Sequence, residues 1–139
     1  TLAAFRAAPG SILLATGAAW EGLDFAGDGV SLLIIPRLPF AYPDAVKEKE
    51  RDDYPNLREF LRSVVVPEMQ IKLRQGFGRT ETDTCAVAML DPRAARGRRY
   101  FQSMVEALPE MPVTGCLRAV EQFYRDHKDA GYFHLPNAG

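Results

Sequence analysis

Cysteine is scarce. Cys85 and Cys116 are the only two in 139 residues, too few for a secreted disulfide framework or a metal knuckle, and both are expected to be structural. Histidine is equally sparse: His127 and His134 flank a glycine with no third ligand nearby, so no metal site is expected. Apolar runs such as Leu32–Ile35 are short. They fall far below the roughly 20 residues of a membrane span, and no membrane partner is expected. No basic stretch followed by an apolar one opens the sequence, so a secretory leader is not expected and a reducing, cytoplasmic setting fits. A phosphate-cradling Gly-x-x-x-x-Gly-Lys-Ser/Thr loop is missing, as are an internal repeat and a low-complexity run. The first residue is Thr1, from which a fragment of a longer protein is expected.

What is present is ordinary in bulk and uneven in detail. At 139 residues the chain is expected to be one domain, since domains run to roughly 100–200 residues. Hydrophobic residues make up 47% and charged residues 25%, which argues against a wholly disordered chain. The net charge of −1 by itself points to no polyanion. Between Arg62 and Arg99, however, Arg62, Lys72, Arg74, Arg79, Arg93, Arg96, Arg98 and Arg99 outnumber Glu68, Glu81, Asp83 and Asp91. That stretch is basic and the rest of the chain acidic, so it is either a phosphate-facing strip or a solvated face.

Along the chain, residues 2–7 read as a helix stopped by Pro9-Gly10. Ser11–Thr16, Val30–Ile35 and Thr84–Leu90 read as buried strands, short and apolar between turn signals. Gly17, Gly22, Gly27 and Gly29 mark a loop after the first strand, and Pro36, Pro39 and Pro43 break pairing after the second. A polar helix is expected over Asp44–Asp53, then two helices, Pro55–Arg62 and Pro67–Gln75, each with proline in its first turn. Gly76-Phe77-Gly78 ends the second of these. Later helices are expected over about Arg98–Leu108 and near Cys116–His127, with Asp91 and Arg93 pairing locally to shape the loop between. Apolar strands alternating with helices imply a parallel sheet covered on both faces, with ligands at the carboxyl ends of the strands. Those ends fall at Thr16, Pro36 and Asp91.

Two segments carry candidate chemistry. In Ala15-Thr-Gly-Ala-Ala-Trp-Glu-Gly-Leu-Asp-Phe25, glycines let backbone N–H groups approach an anion, and Glu21 and Asp24 place carboxylates at the sheet edge. The same stretch also reads as a turn with Trp20 and Phe25 packed inside. In Gln70-Ile-Lys-Leu-Arg-Gln-Gly-Phe-Gly-Arg79, basic groups gather at a helix end, either to reach a γ-phosphate across a cleft or to complement the helix dipole. Tyr124, Tyr132 and Phe133 suit stacking on bases or packing on the core.

These segments in this order resemble a known family. Ala15-Thr-Gly…Trp-Glu-Gly-Leu-Asp-Phe25 resembles motif V of the XPD/DinG family of superfamily 2 helicases, in its bacterial DinG-like branch. Leu32–Phe40 with Pro43 resembles the next strand and its exit. Gln75-Gly-Phe-Gly-Arg79 resembles motif VI, Gln-x-x-Gly-Arg-x-x-Arg, and Ala86–Arg93 the strand that closes the second RecA-like lobe. One departure stands out: the second arginine of motif VI falls at Thr82, as if three residues had been cut from the loop.

The resemblance implies an α/β, three-layer RecA-like lobe, its mostly parallel sheet flanked by helices and lacking a first strand, with residues 1–139 forming one C-terminal motor lobe. It implies that Thr16 and Gly17 touch the backbone of single-stranded DNA, and that Glu21, Gly22 and Asp24 line the link between nucleotide and DNA. Gln75 and Arg79 would serve catalysis at the phosphates of ATP, with ATP and Mg2+ held mainly by the first RecA-like lobe of the same protein. An iron–sulfur cluster, where the family has one, sits in that first lobe. Translocation 5′ to 3′ and inactivity of the isolated chain are further expectations of the likeness.

Overall fold

In the computed structural model, residues 2–8, 10–15, 25, 29–78 and 84–133 are described. The chain divides into two compact units. One comprises Thr1–Leu33, Arg79–Ala86 and Pro112–Gly139, the other Ile34–Gly78 and Val87–Met111.

In the first unit, helix α1 (Leu2–Ala7) ends as the sequence predicts. Gly10 adopts φ +79°, a left-handed conformation suited to glycine, and Ser11 N closes the turn on Ala8 O at 3.1 Å. Phe5 meets the edge of Phe25 at 5.8 Å. The strand expected over Ser11–Thr16 is not seen in its described part: 11–15 bond to no neighbouring strand, and Ile12 and Leu14 are 85% and 91% exposed. Apolar patterning states what a segment would bury, but a ladder also requires a partner strand.

The sheet has two strands, β1 (Leu32–Ile35) and β2 (Ala86–Met89). Ala86 N donates to Ser31 O at 3.0 Å and Leu90 N to Ile35 O at 2.9 Å, so both chains advance by four residues together and the pairing is parallel. Both strands are shorter than their apolar runs. Ile35 is buried, whereas Leu32 and Ile34 are exposed. The expectation of strands buried on both faces is corrected here, because Leu32 is 44% and Ile34 50% exposed, so that side of β1 is covered only in part.

The second unit holds the buried core. Asp44 caps helix α2 (Ala45–Arg51) by accepting from Lys47 N at 2.8 Å. Asn56 caps the next helix in the same way, accepting from Glu59 N at 3.0 Å. The sequence predicts two separate helices, Pro55–Arg62 and Pro67–Gln75, and the structure differs. Helix α3 (Leu57–Phe60) passes through a π-helical stretch (Leu61–Val65) directly into α4 (Val66–Phe77). Pro67 has no N–H to give to residue 63 and its ring crowds that carbonyl. The chain widens by one residue just before it, with Val66 N reaching back to Leu61 O. Proline thus alters the winding without ending the helix.

Helix α4 packs on α5 (Phe101–Ala107) through Met69, Leu73, Met104 and Ala107, all buried. Polar bonds fix the pair: Gln70 Nε2 donates to Ser103 O at 2.9 Å and Arg74 Nε to Ala107 O at 3.1 Å. The second satisfies a carbonyl that the helix end leaves open. Helix α6 (Leu117–His127) belongs to the first unit and is followed by a 3-10 turn (Ala130–Phe133). No helix among the described residues is long and apolar enough to cross a membrane.

Leu73 is fully buried, so Leu73→Ala removes packed volume that its neighbours refill only in part. A loss of about 2–5 kcal/mol is expected, read as a lower urea midpoint with the slope unchanged. A midpoint equal to that of the unsubstituted chain would show the α4–α5 packing to be unimportant.

Candidate nucleotide and nucleic-acid interface

The carboxyl ends of β1 and β2 lead into Pro36–Phe40 and Leu90–Tyr100, and one buried carboxylate joins the two exits. Asp91 is 3% exposed. Its Oδ2 accepts from Leu38 N at 2.9 Å, 53 residues away in sequence. Its Oδ1 accepts from Arg93 N at 3.0 Å, which starts the 3-10 turn Pro92–Ala94. Arg93 Nε donates to both oxygens, at 3.0 and 3.2 Å, and Nη2 to Oδ2 at 2.7 Å. These are charge-assisted bonds on a forked donor, the strong kind. The expected local pairing of Asp91 and Arg93 is therefore present.

The long bond to Leu38 and the ring arrangement go beyond that expectation. The Arg93 guanidinium lies 5.1 Å from the Phe40 ring centre and 6.0 Å from that of Tyr100, and the rings are 4.9 Å apart. The aspartate before a proline at a strand end signals the turn; nothing in the sequence signals Leu38. The Arg93 hydrogen bonds, helped by the Leu38 and Arg93 amides, hold the Asp91 carboxyl well below the usual carboxylate range, against the opposing effect of burial.

At the end of α4, Gln75 is exposed on the last turn, Lys72 is half-buried, and Gly76 and Phe77 are buried. Arg74 is tied by its Nε to Ala107 O. The helix runs to Phe77, two residues past the expected end at Gln75, because Gly78 N still bonds Arg74 O at 2.9 Å. Thr16, Gly17, Glu21, Gly22, Asp24 and Arg79 lie outside the described residues, as do Trp20, Thr82 and His134. Of the candidate site residues, the structure therefore describes Gln75.

The C-terminal aromatics pack within their own unit. Tyr124 Oη donates to Ser31 O at 2.6 Å and its ring stacks on Tyr132 at 5.9 Å. Burial, with Tyr132 and Cys85 adding, pushes the Tyr124 phenol up to about 12. His127 stacks on Phe123 at 4.4 Å, with Nδ1 2.8 Å from Phe123 O. Cys85 is half-buried and Cys116 exposed before α6, its N–H bonded to Thr114 Oγ1 at 3.0 Å. Among the described residues no group of three or more His, Cys, Asp or Glu gathers to hold a metal.

A helicase C-terminal domain family matches residues 1–111. The chain belongs to it. Among its relatives is the ATP-dependent DNA helicase YoaA of Haemophilus influenzae, 36% identical over 84% of this chain and 19% of that protein. The ATP-dependent DNA helicase DinG of Photobacterium profundum is 37% identical over 71% of this chain and 15% of that protein. The 3'-5' exonuclease DinG of Bacillus subtilis is 31% identical over 79% of this chain and 12% of its own length. The chain thus spans about a fifth or less of the curated relatives it matches. No solved structure matches it. This helicase C-terminal domain is DinG-like, and its helices with a small parallel sheet form a partial RecA-like α/β lobe.

The depressed Asp91 carboxyl carries a pH dependence with a definite sign. An unfolded aspartate titrates near pH 4, so the stabilisation by its native partners is complete above that pH and fades as pH falls below it. Asp91→Asn is expected to cost about 1–3 kcal/mol at pH 7 and to show a shallower loss of stability between pH 4 and 2. Urea unfolding at the two ends of that range measures both effects. Parallel acid limbs for the two proteins would contradict the assignment.

Proposed function

We propose that this chain, residues 1–139 as one unit of function, is the C-terminal motor lobe of an ATP-dependent DNA helicase that moves 5′ to 3′ on single-stranded DNA and is inactive by itself. The observation that carries the reading is the ordered pair of segments, Ala15–Phe25 and Gln75–Arg79, in a chain of the helicase C-terminal domain family. The names of its relatives as ATP-dependent DNA helicases support it.

In this mechanism the first RecA-like lobe binds most of ATP with its Mg2+, and this lobe supplies what completes the pocket. Arg79 gains a γ-phosphate partner when the lobes close, and Gln75, exposed on the last turn of α4, faces the same phosphates. Hydrolysis removes that differential interaction, so the closed state loses its advantage and the lobes part. Thr16 and Gly17 grip the DNA backbone, while Glu21, Gly22 and Asp24 connect that grip to the nucleotide. Each cycle then shifts the hold on the strand.

Thr82 favours a second reading, a helicase-derived nucleic-acid-binding module without turnover, because it stands where motif VI has its other arginine. One experiment separates the two. In the full-length protein, Arg79→Ala is expected to lower DNA-stimulated ATP turnover by about a thousandfold or more with little change in DNA affinity. Thr16→Ala is expected to weaken single-stranded DNA binding chiefly. Absence of ATP turnover in the unsubstituted protein, with DNA binding intact, would establish the second reading instead.

A further inference from the structure

The basic stretch seen in the sequence separates into groups with different surroundings. Arg74 is bonded to a helix end and Arg93 to Asp91. Arg96, Arg98 and Arg99 are exposed and pair with no carboxylate among the described residues. They sit on a tight turn just beyond β2, where Arg98 N closes on Ala95 O at 2.9 Å. Gly97 takes φ +77°, a left-handed conformation suited to glycine, with open space around the position of a Cβ.

Two of the three guanidinium groups are held against rings: Arg96 lies 5.4 Å from the centre of Phe101 and Arg99 5.2 Å from that of Tyr100. Tyr100 is itself fixed against Phe40, beside the Asp91–Arg93 clamp. A guanidinium lying on a ring keeps its N–H edge available to phosphate oxygens and its outer face available to a base. Side chains already ordered in this way lose less freedom on binding.

We infer that the Arg96–Arg99 turn, backed by Tyr100 and Phe101, is a binding surface for single-stranded nucleic acid, taking phosphates on its arginine edges and bases on its arginine faces. This rests on the motor-lobe reading and adds to it residues other than Thr16 and Gly17. A net charge of −1 for the whole chain means that attraction to a polyanion must come from a local patch. The patch offers three such charges in four residues.

The test uses the full-length protein and a fluorescein-labelled oligo-dT, with anisotropy titrations between 50 and 200 mM salt and no nucleotide. For R96A/R98A/R99A, the slope of log affinity against log salt is expected to fall by about two, at about 0.7 for each phosphate no longer neutralised. Affinity is expected to drop by roughly tenfold or more. R96K/R98K/R99K keeps the charges and removes the planes, so it should restore the slope and only part of the affinity. An alanine variant with unchanged slope and affinity overturns the inference alone, provided the unsubstituted protein binds the oligonucleotide. Failure of the unsubstituted protein to bind it overturns the motor-lobe reading as well. A loss confined to duplex DNA also overturns the inference.

Discussion

One buried carboxylate organises the strand-exit edge. Parallel strands have no tight turn to join them, so the segments leaving β1 and β2 are independent unless something ties them. Asp91 does so by taking the Leu38 amide on one oxygen while Arg93 occupies both. A buried carboxylate is costly without such partners, and here nearly all of its acceptor capacity is used. The half-exposed Arg93 then bridges to Phe40 and Tyr100, which fixes the place where the arginine turn begins. Asp91 thus ties the two strand exits together and, through Arg93, connects them to the two rings.

The packing of α4 on α5 works by a different principle. Met69 and Leu73 are fully buried on the helix that packs against α5, and hydrophobic burial of this kind has no direction. Direction comes from Gln70 and Arg74, which bond to carbonyls of the facing helix. The end of α4, where Gln75 is displayed, is therefore set by bonds made further up the same helix.

Much of this is legible in the chain, for local reasons. Gly10, Asp44 and Asp91 act within a few residues of themselves, so the helix stop, the cap and the turn can be read in sequence. Pro67 is misleading because its effect depends on what the preceding turn can do. Widening at Leu61–Val65 absorbs the missing bond and the helix continues. Ile12 and Leu14 are misleading because apolar pattern does not supply a strand partner. The Leu38–Asp91 bond spans 53 residues and leaves no periodic trace. Of the site, the order of the two motif-like segments is readable, and so is the excess of arginine before residue 100. Which arginines are already committed to neighbours is decided by the fold.

The family places this chain among DinG-like helicase C-terminal domains, and its proposed role makes it one half of a nucleotide pocket. The most direct measurement is a structure of the full-length protein bound to a non-hydrolysable ATP analogue and a single-stranded oligonucleotide. The expected result is an Arg79 guanidinium within about 3 Å of a γ-phosphate oxygen, with the DNA backbone running past Thr16 and Gly17. An Arg79 side chain buried in its own lobe, or facing away from the nucleotide while the lobes are closed, would contradict that role.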